Sequence, residues 1–330
     1  MQKRALLSAV VAATAMSFVG FAQAGVSGKA MVYTSMYPDI VDNMCKPSVA
    51  KAFPKMKVSW FQGGTENIMT KMNGEIRAKR ISTDLLMVAD PSYYLTLQKQ
   101  GLLLPYKAKD FDKVILDKDP QGAWYSVRVC NMIIAFNKDK LDPKDAPKSW
   151  TDLLDPKWKG KIAMPNPLLS GTAYVAVGAL AQKYGWEYFD KLAANGMKVE
   201  QGNSAIQNKL LTGEYAAAMI LEENILKLSV AKKEPLAVSY PTDGTIMIPS
   251  PIAIMKTTKN PEGAKALMDW WLGKEGQQAV VKGWSTRCAA TLKRPWARSR
   301  QARLLPRRLR LIGRTFPITT RRLKRTSVSA

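Results

Sequence analysis

Short apolar runs alternate along the chain with stretches whose apolar residues recur every three or four positions, the pattern of strands interleaved with helices. Ala30-Met31-Val32-Tyr33 predicts a strand that ends in the polar loop Thr34-Ser35-Met36-Tyr37-Pro38. Residues 40–53 predict a helix that Pro47 kinks or interrupts. A second strand is expected over residues 57–61, then a turn at Gly63-Gly64-Thr65, then a helix from Glu66 whose Ile68, Met69, Met72 and Ile76 share one face. Residues 84–89 predict a third strand, closed by Asp90-Pro91, with Tyr93-Tyr94 beginning the next helix. This β-α-β-α-β unit amounts to one small lobe. A buried strand is expected over residues 127–134. After Pro143-Lys144-Asp145-Ala146-Pro147 the alternation resumes, with strands at 161–164, 215–221 and 252–255. Helices are expected from Ser170-Gly171-Thr172 to Lys183, and from Pro261 with Ala264, Leu267, Met268, Trp271 and Leu272 inward. The fold class is α/β.

The chain has 330 residues, 46% hydrophobic and 23% charged, enough for two domains of about 100–200 residues each and unlike a disordered or polytopic membrane chain. It contains no histidine. That excludes Ser-His-Asp and Cys-His catalysis and any zinc site built on imidazole. Lys and Arg number 50 against 26 acids, for a formal net charge of +24, and the excess is uneven. Between residues 25 and 286 the bases are nearly all lysine, Arg77, Arg80 and Arg128 being the only arginines, whereas residues 287–330 are arginine-rich and acid-free. The abrupt switch is read as a shift of reading frame or a broken gene assignment. The alternative is an arm for nucleic acid or anionic lipid.

Lys3 and Arg4 precede an apolar, small-residue run over residues 5–21 and the A-x-A site Ala22-Gln23-Ala24. Residues 1–24 are therefore expected to be a cleaved signal peptide, and the mature protein periplasmic, away from nucleic acid. The run is short for a retained anchor, which needs about 20 apolar residues. Export permits disulfides. Cys288 lies in the tail, so Cys45 with Cys130 is the one pair within the body, against the alternative of two separately buried thiols.

The motif Ser149-Trp150-Thr151-Asp152-Leu153-Leu154-Asp155-Pro156-Lys157-Trp158-Lys159-Gly160-Lys161-Ile162-Ala163-Met164-Pro165-Asn166-Pro167 resembles the segment entering the second lobe of periplasmic substrate-binding proteins of ABC importers. The likeness is to the ferric-iron, phosphosugar and phosphonate group, of the extracellular solute-binding family 1 type. Asn260-Pro261-Glu262-Gly263-Ala264-Lys265-Ala266-Leu267, continuing through Gly276-Gln277-Gln278, is similar to that family's late helix, and the resemblance spans about residues 28–285. It implies a type II two-lobed fold with a β-strand hinge and a ligand cleft between the lobes. Lobe one would comprise residues 25–127 plus 248–286, lobe two residues 128–247, and residues 287–330 would stand apart. It also implies a monomeric carrier without cofactor or catalysis, which closes on one small anionic solute and delivers it to an inner-membrane ABC permease.

Local chemistry points to an anion. Ser170, Gly171 and Thr172 open a helix with small residues, so free backbone N–H groups and two hydroxyls converge where the helix dipole favours negative charge. An ordinary N-cap is the competing reading. The resemblance places ligand-contacting loops at Thr34, Ser35 and Tyr37 and at Gly64-Thr65. Thr65 as a plain cap and Tyr37 packed on Pro38 are the alternatives. It also assigns Glu222 and Asp243 to ligand hydroxyls, with Glu223 as a further acceptor or a solvated helix-start residue. Asn203 is a weaker candidate within an ordinary cap sequence. The iron binders' tyrosine pair is missing from Leu221-Glu222-Glu223-Asn224. A phosphorylated polyol or aminophosphonate is therefore expected. Ferric ion is the alternative, with Tyr33, Tyr37, Tyr93, Tyr94, Glu222, Glu223 and Asp243 as oxygen donors. A hydrolase using Glu222 and Asp243 lacks a nucleophile with an activating base.

Overall fold

The computed structural model describes residues 25–283 and 285–287. The expected signal peptide and almost all of the basic tail lie outside them, as does Cys288. Ten strands follow in chain order: β1 Gly28–Thr34, β2 Met56–Gln62, β3 Leu85–Met87, β4 Tyr125–Asn137, β5 Ile162–Pro165, β6 Lys198–Glu200, β7 Ala217–Leu221, β8 Leu236–Ser239, β9 Ile246–Ile254 and β10 Thr286–Arg287. The sheet runs β2-β1-β3-β9-β4-β7-β5-β6, with β8 and β10 also pairing β4. Parallel pairs occupy its two ends, β1 with β2 and β3, and β5 with β6 and β7. The middle is antiparallel, where β9 and the 13-residue β4 run beside each other.

Those two long strands join two bodies. One side of the first body packs Val32, Leu85 and Trp271, and the other Ile68, Met72 and Tyr94. The second body packs Trp150, Ile162 and Leu180 on one face and Ile206, Leu210 and Ile220 on the other. Along β4 the apolar partners change from the first body at Val127 to the second at Cys130, and along β9 from Ile248 to Ile252. The inner parallel strands β3, β5 and β7 are buried throughout, which is why they read as continuous apolar runs rather than alternating ones. The molecule is an α/β protein of two lobes bridged by a pair of strands. No helix among the described residues is long and apolar enough to cross a membrane.

The chain treats Pro47 differently from a simple kink. A short helix, Pro38–Ile40, passes into a wide turn over Val41–Cys45 and then into the helix Lys46–Ala52, with Pro47 in its first turn. Lys46 N–H donates to Val41 across five residues. The widened turn that precedes it accommodates a proline, which has no N–H to give to an earlier carbonyl and whose ring needs extra room there. The expected late helix is two helices, Pro261–Leu272 and Lys274–Lys282, separated at Gly273. Cys45 and Cys130 are free, fully buried thiols in the cores of different lobes, and burial pushes each up to about 12.

Candidate functional site

Three helices aim their N-termini at one cavity of about 300 Å³ between the lobes: Thr65–Arg77 from lobe one, and Gly171–Tyr184 and Asn203–Thr212 from lobe two. The first N–H groups of a helix have no partner within it. At Ser170 a side-chain cap meets part of that need, its Oγ accepting from Ala173 N at 3.4 Å and pairing with Thr172 Oγ1 at 3.0 Å. At Gly64 and Gly202 the capping residue has no side chain, and no side-chain cap bond forms. Their donors face the cavity, and each helix dipole contributes about 0.3–1 kcal/mol toward an anion there.

The two sides of the cleft are in contact. A Cβ on Gly171 would fall 2.5 Å from Thr65 Cγ2, and one on Gly64 would fall 3.3 Å from the Leu169 carbonyl. Glycine at 171 therefore lets Thr65 close onto the opposing helix start. The geometry is that of a shut clamp.

Of the residues expected at the site, Ser35, Tyr37, Gly64, Thr65, Ser170, Gly171, Thr172 and Asn203 come together around the cavity. Tyr37 packs against the cores of both lobes, and burial raises its phenol well above the ordinary value, with Glu223 adding to the rise. Asn203 is 6% exposed, and its Oδ1 accepts from Leu221 N at 3.2 Å. Ser35 Oγ is buried without a hydrogen-bond partner. Beside Thr65, burial pushes the Glu66 carboxyl up to about 7, with Asp90 repelling its charge as well.

The other four stand off the cavity wall. Thr34 is wholly buried, its Oγ1 accepting from Met36 N at 3.1 Å. Glu222 accepts from Asn131 Nδ2 at 2.7 Å and from the Tyr240 hydroxyl. Asp243 accepts from Trp150 N at 2.9 Å and from the Tyr184 hydroxyl at 2.6 Å, so it secures the tryptophan-rich segment. Glu223 is 4% exposed and pairs at 2.9 Å with Arg128, which is 2% exposed. Each of these three carboxylates accepts from protein donors, and none lines the cavity. The tyrosines named for iron are dispersed: Tyr33 donates to Glu75, Tyr93 to Asn73, and Tyr94 to the Leu86 and Pro251 carbonyls.

Arg128 is a candidate site residue that pattern reading passed over. It lines the cavity, and its Nε is buried without a hydrogen-bond partner. The available signal was a charge in the middle of Ser126-Val127-Arg128-Val129-Cys130, in a body with almost no other arginine. The first turn at Gly202 and the adjoining Gln201 and Ser204 were also missed, beyond Asn203 itself.

Two lobes on a pair of crossing strands, closed on a polar cavity walled by helix N-termini, define a solute-binding protein. The chain belongs to the bacterial extracellular solute-binding protein family, whose sequence model matches residues 81–300, past Ser285 where the motifs place the end of the likeness. Such proteins are substrate-binding components of ABC importers. The chain is similar to a probable ABC transporter periplasmic-binding protein of Sinorhizobium fredii, 28% identical over 57% of this chain and 54% of the relative. Among solved structures it resembles AfuA of Actinobacillus pleuropneumoniae with fructose 6-phosphate bound, at 24% identity and TM-score 0.72, covering 81% of this chain and 87% of that one. It equally resembles iron-bound HitA of Pseudomonas aeruginosa, at 21% identity and TM-score 0.71, covering 82% and 89%. The near-equal scores mean that the fold does not choose between an organic phosphate and iron.

Proposed function

We propose that the cavity captures a small phosphorylated polyol or a phosphonate, for delivery to an inner-membrane permease by a monomeric, non-enzymatic periplasmic carrier. One observation carries the choice of an anion: the unpartnered Nε of buried Arg128 shares a cavity with the starts of three helices. An unsatisfied buried donor costs about 1–3 kcal/mol, and an anionic oxygen removes that cost. No Asp or Glu is among the residues that line the cavity. The wall thus lacks a partner for an ammonium group, which favours a phosphate ester of a hydroxylated molecule over an aminophosphonate. Its hydroxyls would meet Thr172, Asn203 and Gln201 in place of the carboxylates first expected. The cavity volume falls at the small end of ligand sites, about 300–1,000 Å³.

Ferric ion is the second reading, favoured by the likeness to HitA. The committed hydroxyls of Tyr33, Tyr93 and Tyr94 and the raised phenol of Tyr37 weigh against phenolate coordination. We propose that the lobes exchange between Val127 and Cys130 on β4 and between Ile248 and Ile252 on β9, where the apolar partners change. A thermal-shift panel of sugar phosphates, phosphonates, polyamines and ferric salts tests the function. A phosphate ester at a hundredfold excess over its Kd should add about 2.7 kcal/mol to stability. A melting shift with ferric salts alone would contradict the anion reading.

A further inference from the structure

Arg128 reaches the cavity through a local irregularity in β4. Ser126 pairs with Pro251 and Arg128 with Ser250 on β9, so Val127 is an extra residue and the strand bulges there. A bulge re-aims the side chains that follow it. The Val127 carbonyl accepts from Gln277 Nε2 at 3.0 Å, which ties the bulge to the helix Lys274–Lys282. Just beyond that helix, Ser285 Oγ donates to Glu223 Oε2 at 2.6 Å and accepts from Arg128 Nη1 at 3.3 Å. Arg128 Nη1 also donates to Glu223 Oε1 at 2.9 Å. Arg128, Glu223 and Ser285 are 2%, 4% and 5% exposed, a closed triad whose arginine lines the cavity and keeps one buried donor, Nε, without a partner.

We propose that Glu223 and Ser285 are positioning residues of the solute site, gripping Nη1 of Arg128 so that the rest of its guanidinium is presented to the bound anion. This rests on the anion reading of the cavity. The three residues come from distant parts of the chain: the crossing strand, the end of β7 and the segment that returns after the last described helix. The returning segment is thereby part of the binding site and not only a tether. Serine suits the role because one hydroxyl both donates to the carboxylate and accepts from the guanidinium.

The test compares the full chain with Ser285→Ala and Ser285→Cys, titrating inorganic phosphate and fructose 6-phosphate. Affinity is followed by calorimetry and the arginine Nε–H resonances by nitrogen-edited NMR, with Arg128→Lys identifying the Arg128 signal. Both Ser285 variants should bind at least about tenfold more weakly, the loss of one charge-assisted hydrogen bond. The phosphate-induced shift of the Arg128 Nε–H resonance should shrink, which a purely structural defect would not cause. If Ser285→Ala does not fold, Ser285→Cys carries the same comparison, since its thiol nearly keeps the volume and is only a weak donor. Wild-type affinity and an unchanged resonance shift in the folded variant would overturn the proposal and leave the anion reading standing. Binding of neither probe by the wild type would overturn both.

Discussion

A guanidinium withdrawn from water costs several kcal/mol unless a carboxylate meets it, and Glu223 meets Arg128 at 2.9 Å. Replacing Glu223 by alanine is expected to destabilise the protein by about 3–5 kcal/mol, read as a lower urea midpoint at unchanged m-value. A loss below about 1 kcal/mol would mean that the charge is solvated after all. Glu66 gives a pH-dependent case. Its folded-state pKa of about 7 lies above the usual carboxylate value, burial being the larger cause and Asp90 the smaller. The stability linked to it is fully present below the unfolded-state pKa and is lost as pH rises through about 7. Glu66→Gln should therefore flatten the fall in melting temperature between pH 5 and 8, and a slope equal to wild type would contradict this. At this scale the sequence was partly legible. Ser170-Gly171-Thr172 announced itself because cap chemistry is local. The partners of Glu222, Glu223 and Asp243 were not legible, because what a carboxylate meets is decided by residues remote in sequence: Asn131, Arg128 and Trp150.

Helices that point at one spot do more than any of them singly, since the donors of each are fixed before a solute arrives and need no reorganisation. The approach of Gly171 to Thr65 makes the closed arrangement depend on the absence of a side chain. Gly171→Val should preserve the circular dichroism of the fold and weaken phosphate-ester binding by at least about tenfold, because overpacking a tight contact costs about 1–3 kcal/mol. Small-angle scattering should show the variant staying open when solute is added, and closure equal to wild type would contradict the role given to this contact. Strands and helices with strong periodicity were readable from the chain. The helix Glu187–Ala194 and strands β6 and β8 were not, for each is short, and β6 has only three residues between polar flanks. The helix at Asn203 showed only its cap, because its apolar face is interrupted by Gln207 and Lys209.

At the scale of the molecule, two lobes share β4 and β9, so any change in their relative position passes through those strands, with the Arg128 triad beside them. The long tryptophan-rich motif made this architecture legible, because it fixes lobe structure: Trp150 is fully buried and donates from Nε1 to the Gly244 carbonyl. The same motif says little about ligand, since it packs behind the cavity wall. The cavity is lined instead by loops and helix starts, where a few residues from both lobes meet only after folding. The most direct measurement is a crystal structure of the full chain grown with fructose 6-phosphate. The phosphate oxygens should lie about 2.7–3.1 Å from a guanidinium nitrogen of Arg128 and from backbone N–H groups at the starts of all three helices. A phosphate bound elsewhere, or a cavity that takes up ferric ion on tyrosine oxygens and excludes the ester, would contradict the account.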